Sequence, residues 1–253
     1  MMKMFHLVLK EMKIRLKYKF VWVNMALTPF FIIGPYVFSS KIADVNSLAE
    51  SVLIGALLWY WLNQYFFGVG DGFTEEREEG ALISVVLAPV SLLTFLFSKA
   101  IDTFLMNLYI TFFTLLFFAL CGINLEIHPY FFLLLVVSGV YITFFSIFFA
   151  ALSLWKKRIR SINSATQFFF GILSGMVNLV ENFPSYVRLV SYMIPLTYLI
   201  SIGRNMIKHG STSGFVPQLL VLTCLSFFYL ILGIWLLKRA ENEIRRKGEW
   251  ETW

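Results

Sequence analysis

The chain has 253 residues, of which 58% are hydrophobic and 14% are charged, and its formal net charge is +6. Soluble domains carry about 25% charged residues. A chain with a mean hydropathy of +0.75 is therefore neither a soluble globular protein nor a disordered one, and the composition predicts an all-α integral membrane protein.

The basic residues flank the apolar runs, so the positive charge indicates orientation in a bilayer rather than nucleic-acid binding. The two cysteines, Cys121 and Cys224, and the three widely separated histidines match neither a disulfide framework nor the spacing of a metal site. We expect no metal or cofactor in this chain.

Residues 1–20 alternate basic and apolar side chains at roughly helical spacing, as in Leu9, Lys10, Leu16 and Lys17. A basic amphipathic helix that precedes a membrane span lies along the membrane surface, where anionic lipid attracts it. We therefore expect an interfacial helix here.

Six apolar segments are long enough to cross a bilayer, which takes roughly 20 residues in a helix. They are residues 21–38, 51–70, 91–120, 130–154, 161–180 and 216–237. Lys99 and Asp102 open the third segment, so its hydrocarbon portion is expected to start near Thr103. Residues 1–253 are thus predicted to form a single transmembrane domain.

The connections between these spans differ in charge. With the N-terminus inside, 17 of the 21 basic residues lie in the pieces that face the cytoplasm and four lie outside. The positive-inside rule therefore predicts a multi-pass protein of the cell membrane with both termini in the cytoplasm.

Residues 71–90, between spans two and three, are predicted to form a cytoplasmic helix from about Glu75 to Ala88. Thr74 is a plausible N-cap, and Pro89 marks the end of the helix or a bend. Acidic residues load the first turn and complement the helix dipole; they are Glu75, Glu76 and Glu78.

The second half of this predicted helix is apolar. A solvated loop would explain the glutamates but would leave four apolar side chains in water: Leu82, Val85, Val86 and Leu87. An apolar helix face outside the bilayer favours a groove on a partner protein.

Two further segments are not plain spans. Pro184 and Pro195 divide residues 181–215 into pieces too short to cross, which favours a re-entrant pair of half-helices in the outer leaflet over an amphipathic surface loop. Residues 238–253 are predicted to extend the sixth span into the cytoplasm.

Ionisable side chains are nearly absent from the spans, although a charge within a membrane usually marks a functional site. Lys99 and Asp102 are expected to form an i,i+3 ion pair near the inner interface. The spans contain neither the acid or histidine series of an ion-coupled carrier nor the paired groups of an intramembrane enzyme.

Neutral polar residues do occur within the spans. Most are expected to form helix–helix hydrogen bonds, and four are candidates to line a pathway: Asn63, Gln64, Asn107 and Gln167. Four aromatic residues could stack on a sugar but are better explained as packing or interface residues; they are Trp59, Tyr60, Trp61 and Tyr109.

Two motifs resemble those of the type-2 ABC exporter family, the class of drug and polysaccharide export permeases. Residues 76–82 (EREEGAL) with 88–90 (APV) are similar to that family's E-R-E-x-G-T-L-E…P-V loop, with departures at Ala81 and Ile83. Residues 194–198 (IPLTY) and Arg204 are similar to N-P-L-T-Y…R, with a departure at the first position.

The resemblance implies a permease subunit without catalytic activity, which works with a second permease subunit, identical or different, and with ABC ATP-binding subunits. Those subunits would bind ATP and Mg²⁺, and this chain has no G-x-x-x-x-G-K-[ST] phosphate loop. The residues implied in coupling to the ATPase are Thr74, Glu75, Glu76, Arg77, Glu78, Glu79, Gly80, Leu82, Val85 and Val86.

The function expected from this resemblance is ATP-driven export of an apolar or amphipathic substrate, such as a drug, lipid, peptide or lipid-linked glycan. The alternative is a secondary carrier or channel that ATP does not power, and a membrane-bound enzyme is a third hypothesis. The scarcity of intramembrane charge argues against the carrier.

Overall fold

The computed structural model describes residues 2–42, 46–123, 129–155, 160–209 and 215–247, and all regular structure within those ranges is helical. The helices are α1 (Met2–Lys17), α2 (Lys19–Ile42), α3 (Asn46–Tyr65), α4 (Gly72–Glu78), α5 (Leu82–Leu87), α6 (Leu92–Leu120), α7 (Pro129–Trp155), α8 (Arg160–Leu173), α9 (Ser185–Ser191), α10 (Pro195–His209) and α11 (Phe215–Lys247). A π-helical turn at Phe66–Gly70 joins α3 to α4, and a 3₁₀ turn at Val180–Asn182 precedes α9.

Five stretches of the described residues are helical, long and apolar enough to cross a membrane. They are Lys19–Ser39, Ala49–Gly70, Leu92–Leu120, Pro129–Trp155 and Phe215–Arg246. These agree with the first four predicted spans and the last, and α1 and α11 agree with the predicted N-terminal helix and with the helical tail as far as Lys247. Residues 248–253 of that tail, and 210–214 of the predicted hairpin, lie outside the described residues.

The prediction of a helical span over residues 161–180 is wrong. α8 ends at Leu173, and its 14 residues extend for about 21 Å, less than the roughly 30 Å of a hydrocarbon core. Gly175 has φ +81°, and its N–H bonds the carbonyl of Ile172 while that of Met176 bonds the carbonyl of Gly171. This pattern closes the helix with a left-handed glycine, which an apolar sequence pattern does not reveal.

The chain after α8 forms a bent pair of helices. Ser185–Ser191 and Pro195–Met206 meet at 93°, and the fold has a sixth membrane-crossing candidate only if this pair counts as one broken span. Pro195 begins the second helix, where its missing N–H costs nothing. The predicted break at this proline is confirmed, and a re-entrant position in the outer leaflet stays a prediction.

α3 is the central helix of the bundle, with 83% of its span buried and with contacts to α2, α6, α7, α8 and α10. The indole N–H of Trp59 donates to the backbone carbonyl of Gln167 at 3.0 Å, and that of Trp61 donates to the hydroxyl of Thr111 at 2.8 Å. Trp59, Tyr60 and Trp61 are buried, which confirms that they are packing residues.

Side-chain contacts define the two ends of the bundle. Lys41 Nζ donates to the carbonyl of Cys121 at 2.8 Å, so α2 and α6 finish at one end. We call it the hairpin end, because Arg204 of α10 bonds the carbonyl of Ser51 near the start of α3 there. The indole of Trp155 donates to Glu243 at 3.1 Å, so α7 and α11 approach the opposite end together. We call it the α4 end, since α4 packs there against α7.

Candidate functional site

The short helix α4 continues directly from the central helix α3 through the π-helical turn. The N–H of Asp71 bonds the carbonyl of Phe66 at 2.9 Å, and the Ser153 hydroxyl donates to the carbonyl of Gly70 at 2.9 Å. Asp71 is buried and accepts a hydrogen bond from the Asn163 amide of α8. Helices α7 and α8 therefore hold the base of α4 in place.

The predicted helix Glu75–Ala88 is two helices, and its predicted start is also wrong. α4 begins at Gly72, so Thr74 lies within the helix and is buried instead of serving as the N-cap. Gly80 has φ +69° and ends α4, with Gly80 N–H bonded to Arg77 O at 3.1 Å and Ala81 N–H bonded to Glu76 O at 2.7 Å. A left-handed glycine with this bonding pattern stops a helix, whereas the glutamates around it favour one.

Lys99 of α6 is the electrostatic centre of the α4 end. Its Nζ lies 3.2 Å from a carboxylate oxygen of Glu75 and 3.2 Å from one of Glu76, both on α4. Glu11 of α1 lies at 4.0 Å, and the ammonium also lies 5.5 Å from the centre of the Phe95 ring. The sequence predicts Asp102, on the same helix, as the partner of Lys99. The three carboxylates that tie α1, α4 and α6 together are not part of that prediction.

The inner face of α4 is closed to solvent. Glu76 and Arg77 are 5% and 3% exposed. The guanidinium of Arg77 donates to the carbonyl of Leu154 at 3.4 Å, and burial lowers the pKa of Arg77. These two residues of the family-like motif therefore attach α4 to the bundle, and their part in coupling to an ATPase stays a prediction.

The outer face of α4 and α5 is exposed, and its apolar part differs from the prediction. Leu82 is fully buried, and Val85 and Val86 are half-buried against the core. Ile83 and Leu87 are 39% and 78% exposed, one helical turn apart on α5. With the exposed Glu75, Glu78 and Glu79 of α4 and its C-cap, they form a surface that we call the acidic–apolar surface.

A polar cavity of about 450 Å³ lies at the hairpin end. Arg204 of α10 lines it and is buried, with Nε donating to the carbonyl of Ser51 at 3.1 Å and Nη2 to that of Met176 at 2.8 Å. These bonds join α10 to α3 and to the turn after α8. Other lining residues include Ser174, Glu181, Tyr192, Tyr198 and Gln218.

The second family-like motif is part of this structure. The Thr197 hydroxyl donates to the carbonyl of Ser191 at 2.6 Å, and the Tyr198 hydroxyl donates to that of Tyr192 at 3.0 Å. Both bonds cross the bend between α9 and α10, so this motif holds the shape of the hairpin.

The sequence profile of a family described as ABC-2 family transporter protein matches residues 20–235. The chain belongs to the ABC-2 transporter family. A comparison with curated proteins finds no match. The resemblance noted from the two motifs is thereby confirmed, and the chain is a multi-pass permease component of an ABC transporter.

Three of the four pathway candidates in this ABC-2 permease are buried in the helix bundle. Asn63, Asn107 and Gln167 are buried, and Gln64 is half-buried. None of the four lines the cavity at the hairpin end. Both polar atoms of the Asn107 side-chain amide lack a hydrogen-bond partner among the described residues. Asn107 therefore does not form the helix–helix hydrogen bond expected of most polar residues in the spans.

Three features were not predicted from the sequence. They are the exposed pair Ile83 and Leu87, the contact of Glu11 with Lys99, and the cavity around Arg204. The signal for the exposed pair was available, because residues 83 and 87 share a face once a short helix is started at Leu82. For Glu11 no local signal existed, since its partner Lys99 is far away in sequence.

Proposed function

We propose that this permease is the membrane subunit of an ATP-driven exporter, powered by separate ATP-binding subunits that bind ATP and Mg²⁺. The observation that carries the proposal is the acidic–apolar surface. It presents Ile83 and Leu87 beside exposed glutamates on a short helix pair, and the opposite side of that pair is bonded firmly to the bundle.

The contacts supply a route for force from such a partner to the membrane-spanning helices. A push on α4 reaches α3 through the π-helical turn, α7 through Arg77 and Leu154, and α6 through Lys99. Because α3 packs against five other helices of the bundle, its movement displaces most of the permease. Packed elements of this kind transmit displacement rather than absorbing it.

The topology that fits this proposal places the α4 end in the cytoplasm, with both termini, and the hairpin end outside. Exposed basic side chains support it: Lys10, Lys13, Lys17, Lys238, Arg239, Arg245 and Arg246 lie on α1 and on the end of α11. In this arrangement α9 and α10 form a re-entrant hairpin in the outer leaflet, and a second permease subunit completes the pathway for an apolar or amphipathic substrate.

The test uses the full chain, co-expressed with a candidate ABC ATP-binding subunit from the same source. We expect the purified chain alone to hydrolyse no ATP, and the complex to hydrolyse ATP and transport. Reversing two of the three exposed glutamates, Glu78→Lys with Glu79→Lys, should abolish complex formation, and thermal unfolding of the variant chain is measured alongside to show that it is folded.

The matched control reverses Glu181, an exposed acid at the hairpin end, and Glu181→Lys should leave complex formation intact. Full ATPase coupling in the double variant at residues 78 and 79 would contradict the proposal. Transport by the isolated chain in liposomes under an ion gradient without ATP would establish the alternative, a secondary carrier.

A further inference from the structure

One face of α11 is exposed along its length, and it changes from apolar to basic at Trp235. Its first part is apolar, with exposed side chains at Val216, Leu219, Leu220, Phe227, Phe228, Ile231 and Trp235. From Val216 to Trp235 this apolar stripe is about 29 Å long at the helical rise of 1.5 Å per residue. That length equals the thickness of a hydrocarbon core, so Trp235 lies at its boundary.

Directly beyond Trp235 the same face carries positive charge. A groove of about 620 Å³ is lined by Trp235, Lys238, Arg239, Asn242, Glu243 and Arg246. Lys238 and Arg239 follow Trp235 by about 4.5–6 Å along the helix axis, the depth at which lipid phosphates lie next to the hydrocarbon. The groove is therefore at the headgroup level of the leaflet at the α4 end.

One donor of this groove, the Arg239 guanidinium, is held in place by aromatic rings. The Arg239 guanidinium lies 5.8 Å from the ring centre of Trp155 and 5.5 Å from that of Trp235, so an indole ring from each of α7 and α11 positions it. Within the described ranges, no hydrogen bond or ion pair is found for Lys238, Asn242 or Arg246.

The groove has an excess of positive charge. Its one carboxylate, Glu243, accepts a hydrogen bond from the Trp155 indole at 3.1 Å, and three cations remain: Lys238, Arg239 and Arg246. The two guanidinium groups and one ammonium group that line this groove match the charge and the acceptor oxygens of a phosphate.

We propose that this groove binds the headgroup of one anionic phospholipid in the leaflet at the α4 end, with its acyl chains along the apolar stripe of α11. A lipid fits better than a protein because the apolar stripe runs straight into the groove. The surface assigned to the ATP-binding subunit is acidic and lies on α4 and α5, whereas α11 packs against α7 and α10. This site extends the proposed function but does not depend on it.

The test is native mass spectrometry of the delipidated full chain, titrated with phosphatidylglycerol or with phosphatidylcholine. We expect one phosphatidylglycerol to bind saturably and phosphatidylcholine to bind at least tenfold more weakly. The triple variant Lys238→Gln, Arg239→Gln, Arg246→Gln should bind phosphatidylglycerol at least about tenfold more weakly, since each basic residue contributes to the attraction of an anionic headgroup.

The matched control removes the same charge from α1, with Lys10→Gln, Lys13→Gln and Lys17→Gln, and should change the affinity less than about twofold. Where the α11 triple variant fails to fold, Arg239→Gln is compared with Arg245→Gln, because Arg245 is ion-paired with Glu241 at 2.8 Å on the same helix.

Four results would overturn the proposal. The first three are an equal loss of phosphatidylglycerol binding in the α1 and α11 triple variants, equal affinity of the wild type for phosphatidylcholine and phosphatidylglycerol, and complete competition by inorganic phosphate. The fourth is an α11 triple variant that no longer binds the ATP-binding subunit but binds phosphatidylglycerol as the wild type does. The last result would assign the groove to a protein partner. None of the first three bears on ATP-driven export.

Discussion

Lys99 of α6 and Glu76 of α4 form a buried ion pair, with Nζ and a carboxylate oxygen 3.2 Å apart and side chains 10% and 7% exposed. Glu76 belongs to the stretch that resembles the family's coupling loop, and its carboxylate points into the bundle, away from the surface that a partner would reach. Its role is therefore to hold α4 in position, and under the proposed function its exposed neighbours would make the contact with the ATP-binding subunit.

Removing the cation of this cluster should unfold the α4 end. Lys99→Met leaves Glu76 buried without its ammonium partner, and breaking a buried ion pair in this way costs roughly 3–5 kcal/mol. We expect a large drop in the thermal unfolding temperature in detergent. Lys10→Met, at an exposed lysine of α1, should leave the temperature unchanged, and equal stability of the two variants would refute the structural role of Lys99.

The two apolar faces of α5 can be separated by one substitution on each. Leu87→Asp changes a side chain that is 78% exposed, so we expect normal stability and loss of ATPase coupling. Leu82→Asp places a carboxylate at a fully buried position, where an unpaired charge destabilises the fold strongly. Thermal unfolding and ATPase assays on the co-expressed complex check both, and the assignment fails if Leu87→Asp retains full coupling.

The contact between α3 and the turn after α8 requires glycine at residue 55. A Cβ there would lie 2.2 Å from the carbonyl oxygen of Met176 and 2.8 Å from Nη2 of Arg204, so Gly55→Ala separates these groups. We expect destabilisation of about 1–3 kcal/mol, as for other overpacked cores, and faster proteolysis at the hairpin.

Gly34→Ala is the control for this substitution, because the nearest atom to its Cβ is a Phe38 ring carbon at 3.5 Å. Its unfolding temperature should stay close to that of the wild type. A Gly55→Ala variant as stable as Gly34→Ala would show that the contact between α3 and this turn is not required.

Asn107 should limit stability. Its amide is fully buried and finds no partner among the described residues, and an unpaired buried amide costs roughly 1–3 kcal/mol. Asn107→Leu is therefore expected to raise the unfolding temperature, and to reduce transport if the amide serves the pathway. Asn163→Leu, which removes the donor to buried Asp71, should lower the unfolding temperature. An equal drop in the unfolding temperature of Asn107→Leu and Asn163→Leu would contradict this interpretation.

The amino-acid sequence by itself determined that this is an integral membrane protein of the all-α class, and it located five of the helices that are long and apolar enough to cross a membrane. These properties depend on runs of apolar residues such as Leu92–Leu120. It also located the stretch around Glu76 and the break at Pro195, since charge and proline act locally on the backbone.

Only the tertiary structure decided where α8 and α4 end, because a left-handed glycine such as Gly175 or Gly80 is one residue in an otherwise helical pattern. It also decided which motif residues face inward. Glu76 is buried since Lys99, distant in sequence, lies opposite it, and Leu87 is exposed since none of the described residues covers it at the end of α5. Partners distant in sequence set burial and charge pairing, and no local pattern records them.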